Sequence, residues 1–208
     1  IKVGFENKTL KFKRGKIEKS EENFQKLKLI AALCNNATIK ENNGKNELAG
    51  DPIEVALINM VNAADSNTDE IKEKYERIDE LPFSSKLKIM ATLHKSEAGN
   101  FVAAKGSDEQ LLAKCSKIQF SEEIRDLTEN DREKIIDDSN KMAADGLRVL
   151  AFAYNENSSI DKKNYVDQLV YIGMIGFLDP PRIEIKDAID LCRKAGIKVV
   201  MVTGDHPL

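Results

Sequence analysis

The spacing of the hydrophobic residues changes near residue 86, and this change limits the folds that the chain can adopt. Between residues 20 and 35, apolar side chains recur every three or four positions, which predicts a helix. From residue 86 the segment KLKIMATLH alternates instead, which predicts a strand. The turn KSEAGN and the segment FVAAK then complete a β-hairpin. Helices beside an antiparallel hairpin indicate an α+β fold.

A second helix is predicted to begin after a polar loop over residues 36–50. Asp51 is its N-cap, Pro52 its first residue and Glu54 its third, the pattern of a capping box. Further helices and strands follow the same periodicities. The helices are predicted over residues 107–115 and 128–144, and the strands over residues 148–154 and 168–178.

The C-terminal segment has a different organisation. A helix is predicted over residues 183–195 and an apolar strand over residues 197–202. Together with the strand over residues 168–178 they form a right-handed unit with two parallel strands. The polar loop of Thr203, Gly204 and Asp205 then lies at the carboxyl end of a parallel strand, where open α/β sheets bind phosphate.

Two architectures therefore follow one another along the chain. An antiparallel sheet flanked by helices is expected over residues 1–166, and the first unit of a parallel α/β domain over residues 167–208. The parallel unit is incomplete, because a parallel sheet needs further strands beside it.

Composition excludes several classes of protein. The 208 residues are 41% hydrophobic, enough for a core, and their net charge of −3 gives no basic face for nucleic acid. No apolar run approaches the roughly 18 residues of a membrane helix. The three cysteines are far apart and are predicted to be buried free thiols. The two histidines have no accompanying cluster of cysteines or carboxylates, so no metal site is predicted.

Five stretches, in this order, resemble the cytoplasmic part of the P-type cation-transporting ATPases, and of calcium pumps in particular. They are GDPIEVAL (50–57), LPFSSKLKIM (81–90), KGSDEQLL (105–112), GLRVLAFAY (146–154) and DPPRIEIKDAIDLCRKAGIKVVMVTGDHP (179–207). The resemblance spans residues 50–207, and the fifth stretch carries most of its specificity.

The resemblance implies a nucleotide-binding domain followed by part of a haloacid-dehalogenase-like phosphorylation domain. The parent would be an integral protein of the cell membrane that couples ATP hydrolysis, through an aspartyl-phosphate and Mg²⁺, to cation transport. Its other partners would be the remaining phosphorylation, actuator and transmembrane domains of the same chain. The family's Asp-Lys-Thr-Gly-Thr nucleophile loop does not occur here and is expected before Ile1. This cytoplasmic fragment is therefore expected to bind ATP without turnover.

The resemblance also assigns residues to the base of the nucleotide. Phe83 matches the phenylalanine that stacks on adenine, although a core phenylalanine is the alternative. Lys105 and Gly106 match a Lys-Gly pair beside the adenine pocket, although a strand-end lysine is commonly solvated. Glu54 matches a glutamate near the adenine amino group, and its alternative role is the capping box.

Two basic residues match positions that face the phosphates, Lys88 and Arg148. Strict alternation would place Phe83 and Lys88 on opposite faces, so either residues 83–85 are not yet a regular strand or a bulge intervenes. Ser85 replaces an arginine of the family pattern, which removes one phosphate donor.

In the parent, the resemblance makes Thr203, Gly204 and Asp205 the residues that hold the γ-phosphate and help to order Mg²⁺. An ordinary turn before Pro207 is the alternative. Two other functions stay open at this point: a haloacid-dehalogenase-type phosphatase, whose Asp-x-Asp loop is not found in the sequence, and a non-catalytic interaction module.

Overall fold

The computed structural model describes residues 2–5, 8–11, 22–42, 45–64, 66–97, 99–120, 123–156, 164–178 and 184–200. The helices are α1 (Glu22–Leu33), α2 (Pro52–Ala63), α3 (Thr68–Lys74), α4 (Asp108–Leu112), α5 (Glu129–Ala144) and α6 (Glu184–Lys194). The strands are β1 (Lys2–Phe5), β2 (Lys8–Lys11), β3 (Thr38–Asn42), β4 (Lys45–Ala49), β5 (Glu76–Leu81), β6 (Ile89–Ser96), β7 (Gly99–Gly106), β8 (Cys115–Phe120), β9 (Glu123–Asp126), β10 (Leu147–Glu156) and β11 (Leu169–Leu178).

The described strands form one large sheet and one separate hairpin. Seven strands of the large sheet run in the order β2-β1-β11-β10-β7-β6-β5, and β8 joins β11 while β9 pairs with β8. Every pair is antiparallel except β8 with β11. The hairpin of β3 and β4 stands apart from this sheet. The predicted α+β class, an antiparallel sheet flanked by helices, is therefore confirmed in its general form.

The large sheet is covered on both faces. On one face Met90, Phe101 and Phe152 pack with α1 and α2, while on the other Ile89, Val102 and Ala151 pack with α4 and α5. Because successive strand residues point to opposite faces, β6 is buried from Ile89 to His94. The alternation seen in the sequence therefore assigns residues to two apolar layers, one on each face of the sheet. It does not separate a buried face from a solvated one.

Two local predictions are wrong, and one strand was not predicted. Residues 36–50 contain the hairpin β3–β4, not only a polar loop. The segment before Leu81 forms an edge strand, β5, as well as α3. Helix α4 ends at Leu112, and Cys115 is the first residue of strand β8 rather than the last residue of a helix. Cys115 pairs with Leu169, whose backbone N–H donates to the Lys114 carbonyl.

The C-terminal organisation also differs from the prediction. Strand β11 is a central strand between β1 and β10, so the boundary predicted at residue 166 separates it from its own sheet. The predicted helix over residues 183–195 is confirmed as α6, but residues 197–200 form no strand and are exposed. The parallel α/β unit is thus not confirmed, since no described strand pairs with residues 197–200 and a parallel strand requires neighbours. Residues 201–202 lie outside the described part.

Among the described residues, no helix combines the length and the apolar character needed to cross a membrane.

Candidate functional site

An ion pair that is almost completely buried lies at one end of the large sheet. The ammonium of Lys105, near the end of β7, lies 2.6 Å from Oε1 of Glu54 in the first turn of α2. The two side chains are only 8% and 14% exposed. Asp51 caps α2 by accepting a hydrogen bond from the Ile53 N–H at 2.9 Å. The carboxylate of Glu54 instead faces Lys105, so the sheet rather than the helix end fixes its position.

Asn36 holds the other oxygen of this carboxylate. Its backbone N–H donates to Oε2 of Glu54 at 3.2 Å, and its side-chain amide donates to Oε1 of Glu80 at 2.8 Å. Asn35 reinforces the arrangement, because its amide donates to the Glu54 carbonyl at 2.9 Å. The segment after α1 thus connects α2 with the edge strand β5.

Arg77 anchors this segment from β5. One guanidinium nitrogen donates to the carbonyls of Leu33 and Asn35, at 2.7 and 2.9 Å. The other donates to Oδ1 of Asn36 at 2.6 Å and to Oε2 of Glu80 at 3.1 Å. Sequence reasoning missed Asn36, Arg77 and Glu80, because Arg77 binds the carbonyls of a distant segment and Asn36 lies about forty positions from both Arg77 and Glu80. No local pattern reveals such contacts.

A close backbone contact fixes the turn that precedes β6. A Cβ atom on Gly106 would lie 2.5 Å from the Lys88 carbonyl oxygen, which accepts the Ser107 N–H at 2.9 Å. Lys88 has a φ of 53°, in the left-handed region, and its N–H bonds to the Ser84 carbonyl at 2.7 Å. Residues 82–88 are therefore not a regular strand, and the first of the two alternatives for this segment is correct. Gly106 allows the turn to approach β7, beside Lys105.

Phe83 is not a core residue, because its side chain is 58% exposed and belongs to neither apolar layer. It follows the end of β5, whose Leu81 pairs with Ala91, and precedes the turn that contacts Gly106. The ring therefore lies in an irregular segment at the same end of the sheet as Lys105.

Arg148 lies on the same face of the sheet as Lys105. Phe152 is the partner of Lys105 in β10, and every second residue of a strand shares its face. Arg148 is four positions earlier, about 13 Å along the strand at the usual rise per residue. Both Arg148 and Lys88 are exposed. The site thus has an inner pair, Glu54 and Lys105, and two outer cations.

Two buried titratable groups of the core, Cys34 and His94, are neutral at pH 7. Burial raises the pKa of the Cys34 thiol to about 11, although the positive charge of Lys105 acts in the opposite direction. Burial lowers the pKa of His94 to about 4, so its ring is neutral at pH 7. A proton on Nδ1 donates to the Tyr75 carbonyl at 3.2 Å, and Nε2 then accepts from the Thr92 hydroxyl at 2.8 Å.

The remaining candidates fall outside the described residues or differ from expectation. Thr203, Gly204 and Asp205 lie outside the described part of the chain. Within that part, no group of three or more His, Cys, Asp or Glu could hold a metal ion. Cys34 and Cys115 are buried free thiols, whereas Cys192 in α6 is only partly buried.

Comparisons with known proteins agree over most of the chain. A family model described as "P-type ATPase, cytoplasmic domain N" matches residues 23–184. Calcium-transporting ATPase 1 of Bacillus cereus is 39% identical over 176 residues, 84% of this chain and 19% of the relative. A calcium-transporting ATPase of Listeria monocytogenes is 34% identical over 91% of this chain and 22% of the relative. The sodium/potassium-transporting ATPase subunit alpha-1 of Oreochromis mossambicus is 30% identical over 92% of this chain and 21% of the relative. The chain thus spans about a fifth of the length of these relatives.

Proposed function

The chain belongs to the P-type ATPases, and we propose that it binds the adenine base of ATP between Phe83, Glu54 and Lys105. The observation that carries the proposal is the buried Glu54–Lys105 pair at the same end of the sheet as an aromatic residue, Phe83, that is 58% exposed. Phe83 belongs to neither apolar layer, so the packing of the core does not account for an aromatic residue at this position. Stacking of a base on such a ring contributes roughly 1–3 kcal/mol.

The hydrogen bonds of Glu54 leave room for the base. Each carboxylate oxygen has two lone pairs, and Oε1 and Oε2 each accept one bond, from Lys105 and from Asn36. One further lone pair can accept the exocyclic amino group of adenine. A carboxylate that is paired with an ammonium accepts hydrogen bonds and does not donate them, which favours adenine over a base that has a carbonyl at this position.

The outer cations are assigned to the phosphates. Lys88 and Arg148 are exposed and have no ion-pair partner among the described residues. Ser85 supplies no positive charge, so stacking carries much of the affinity. ATP and ADP are expected to bind similarly, AMP only modestly more weakly, and GTP clearly more weakly.

Phosphoryl transfer requires groups other than those described above. Mg²⁺ supplies charge neutralisation to the phosphates when it is bound, and we assign its ordering in the parent to Thr203, Gly204 and Asp205. We therefore expect this chain alone to bind nucleotide without turnover. Acid-stable, stoichiometric labelling of the purified chain by γ-labelled ATP would contradict this expectation.

We assign residues after Leu178 to the phosphorylation domain of the same protein. In α6 and the segment after it, Ile185, Leu191, Ile197 and Val200 are 44%, 71%, 58% and 66% exposed. Exposed apolar side chains of this size are typical of a segment that another domain covers. The parent would then be a membrane-embedded cation pump with this part on the cytoplasmic side, as the names of the transporting relatives suggest.

The test of nucleotide binding is a titration followed by amide chemical shifts. Addition of ATP should shift the amides near Glu54, Phe83, Lys88, Lys105 and Arg148 in a saturable way. GTP at the same concentrations should produce smaller shifts. An interaction module or a phosphatase fragment predicts no adenine-dependent response, and shifts clustered elsewhere would contradict the assignment of the site.

A further inference from the structure

A cavity of about 280 Å³ lies next to the segment that follows α1. Its walls come from the end of α1, the start of β3, helix α3 and strands β5 and β6. The lining residues are Leu33, Asn35, Asn36, Ala37, Thr38, Lys72, Tyr75, Arg77 and His94. Neither Glu54 nor Lys105 lines it, so it is separate from the nucleotide site.

The charge of the lining is positive. Lys72 and Arg77 contribute to it, and none of the described residues that line it is an aspartate or a glutamate. Arg77 is committed to four protein acceptors, one of them the carboxylate of Glu80. Lys72, by contrast, has no hydrogen bond or ion pair with any described residue, although it is half-buried.

The half-buried position of the Lys72 ammonium, without an ion-pair partner among the described residues, costs free energy. Burial lowers the pKa of Lys72, and the positive charge of Arg77 lowers it further. Asp69 and Glu54 act in the opposite direction, but neither forms a salt bridge with Lys72. A half-buried cation next to a second cation is most stable when an anion is close to both.

We propose that this cavity is a binding site for a small oxyanion, a phosphate group or its monoester, held by the ammonium of Lys72. Lysine binds phosphate as a point charge with three donors, and no described residue accepts a hydrogen bond from this ammonium. Asn36 connects the two sites, because it lines the cavity and its backbone N–H donates to Oε2 of Glu54. The apolar side chains of Leu33 and Ala37 and the ring of Tyr75 leave space for a small organic substituent on the phosphate.

The proposal does not depend on nucleotide binding, because the two sites share no ligand-contacting residue. A phosphate that entered the nucleotide site would instead meet Lys88 and Arg148. The positions at which inorganic phosphate shifts the spectrum therefore distinguish the two sites. A Phe83→Ala variant should bind phosphate as the unchanged chain does.

The experiment is a titration of the whole chain with inorganic phosphate, and then with phenyl phosphate, at constant ionic strength. Saturable amide shifts are expected at Ala37, Tyr75 and Arg77. Lys72→Met should weaken binding at least tenfold, whereas the matched control Lys74→Met, on an exposed position of the same helix, should change it less than twofold. Equal losses in the two variants, or shifts confined to Lys88 and Arg148, would overturn the proposal.

A second readout needs no variant and thus does not depend on how Lys72→Met folds. In the unchanged chain, the pKa of the Lys72 ammonium, followed through its side-chain carbon resonances, should rise when phosphate is added. The side-chain carbon resonances of Lys74 should not respond to phosphate. A Lys72 pKa that does not respond to saturating phosphate would also overturn the proposal.

Discussion

Two ion pairs of almost equal length should differ strongly in how much stability is lost when one partner is removed. The Lys105–Glu54 pair spans 2.6 Å, with exposures of 8% and 14%, and the Lys114–Asp167 pair spans 2.7 Å, with exposures of 41% and 53%. Removal of one partner of a buried pair leaves an uncompensated charge and costs about 3–5 kcal/mol. Glu54 keeps the hydrogen bond from Asn36, so we expect Lys105→Met to cost about 2–4 kcal/mol. Lys114→Met should cost at most about 1 kcal/mol.

Urea unfolding measures both costs. With an m value of about 2 kcal/mol per molar, Lys105→Met should lower the midpoint by roughly 1–2 M, and Lys114→Met by less than about 0.5 M. The double variant Lys105→Met with Glu54→Gln should recover much of the loss, because the charge that remained buried is then also removed. Equal midpoints for the two single lysine variants, or strictly additive losses at Lys105 and Glu54, would refute the reasoning.

Three further predictions rest on single residues. Gly106→Ala should lower the free energy of unfolding by about 1–3 kcal/mol in urea titrations, since its Cβ would lie 2.5 Å from the Lys88 carbonyl oxygen; an unchanged midpoint would contradict the close contact. Burial lowers the pKa of His94 to about 4 in the folded chain. As pH falls below 6.5, His94 therefore gains a proton in the unfolded chain before it does in the folded chain, and the free energy of unfolding declines towards pH 4. Between pH 6.5 and 5 this decline should be smaller in His94→Gln, and equal slopes in the two proteins would contradict it. Native thiol titration should modify Cys192 fastest and leave Cys34 unmodified, because burial raises the pKa of Cys34 to about 11; rapid modification of Cys34 would contradict this order.

The strands and helices of the core were predictable where a period is regular. Helices α1 and α5 and the hairpin β6–β7 follow apolar residues spaced for a helix or a strand, and strand β11 follows a continuous apolar run. The hairpin β3–β4 was missed because its residues are polar and its strands pair only with each other. Its register joins Asn42 to Lys45, and the intervening Asn-Gly is a strong signal for a two-residue turn.

At the C-terminal end, the sequence could not predict which distant strands pair with β11. Strand β11 and helix α6 were both predicted, but the sequence gives no sign that β11 pairs with β1 and β10 rather than with a later strand. A continuous apolar run is compatible with any fully buried strand, parallel or antiparallel. The choice depends on neighbours that are distant in the chain.

The candidate site was partly accessible from the sequence. The family resemblance named Glu54 and Lys105, which the structure brings into an ion pair, and Phe83, which it leaves exposed. It did not name Arg77 or Asn36, because their role arises from carbonyl oxygens at the end of α1 that become acceptors only in the folded chain. The roles of the named residues towards nucleotide stay predictions.

The most direct test of the central claim is the affinity of ATP for the Phe83→Ala variant, measured by calorimetry. Ile124→Ala is the matched control, because Ile124 is 48% exposed and lies on β9, away from the site. Loss of the stacking ring should weaken binding by roughly 1–3 kcal/mol, about one to two decades in Kd, with an unchanged Tm. Ile124→Ala should bind ATP as the unchanged chain does. If Phe83→Ala binds ATP within twofold of the unchanged chain, adenine does not stack on this ring and the proposed site is wrong.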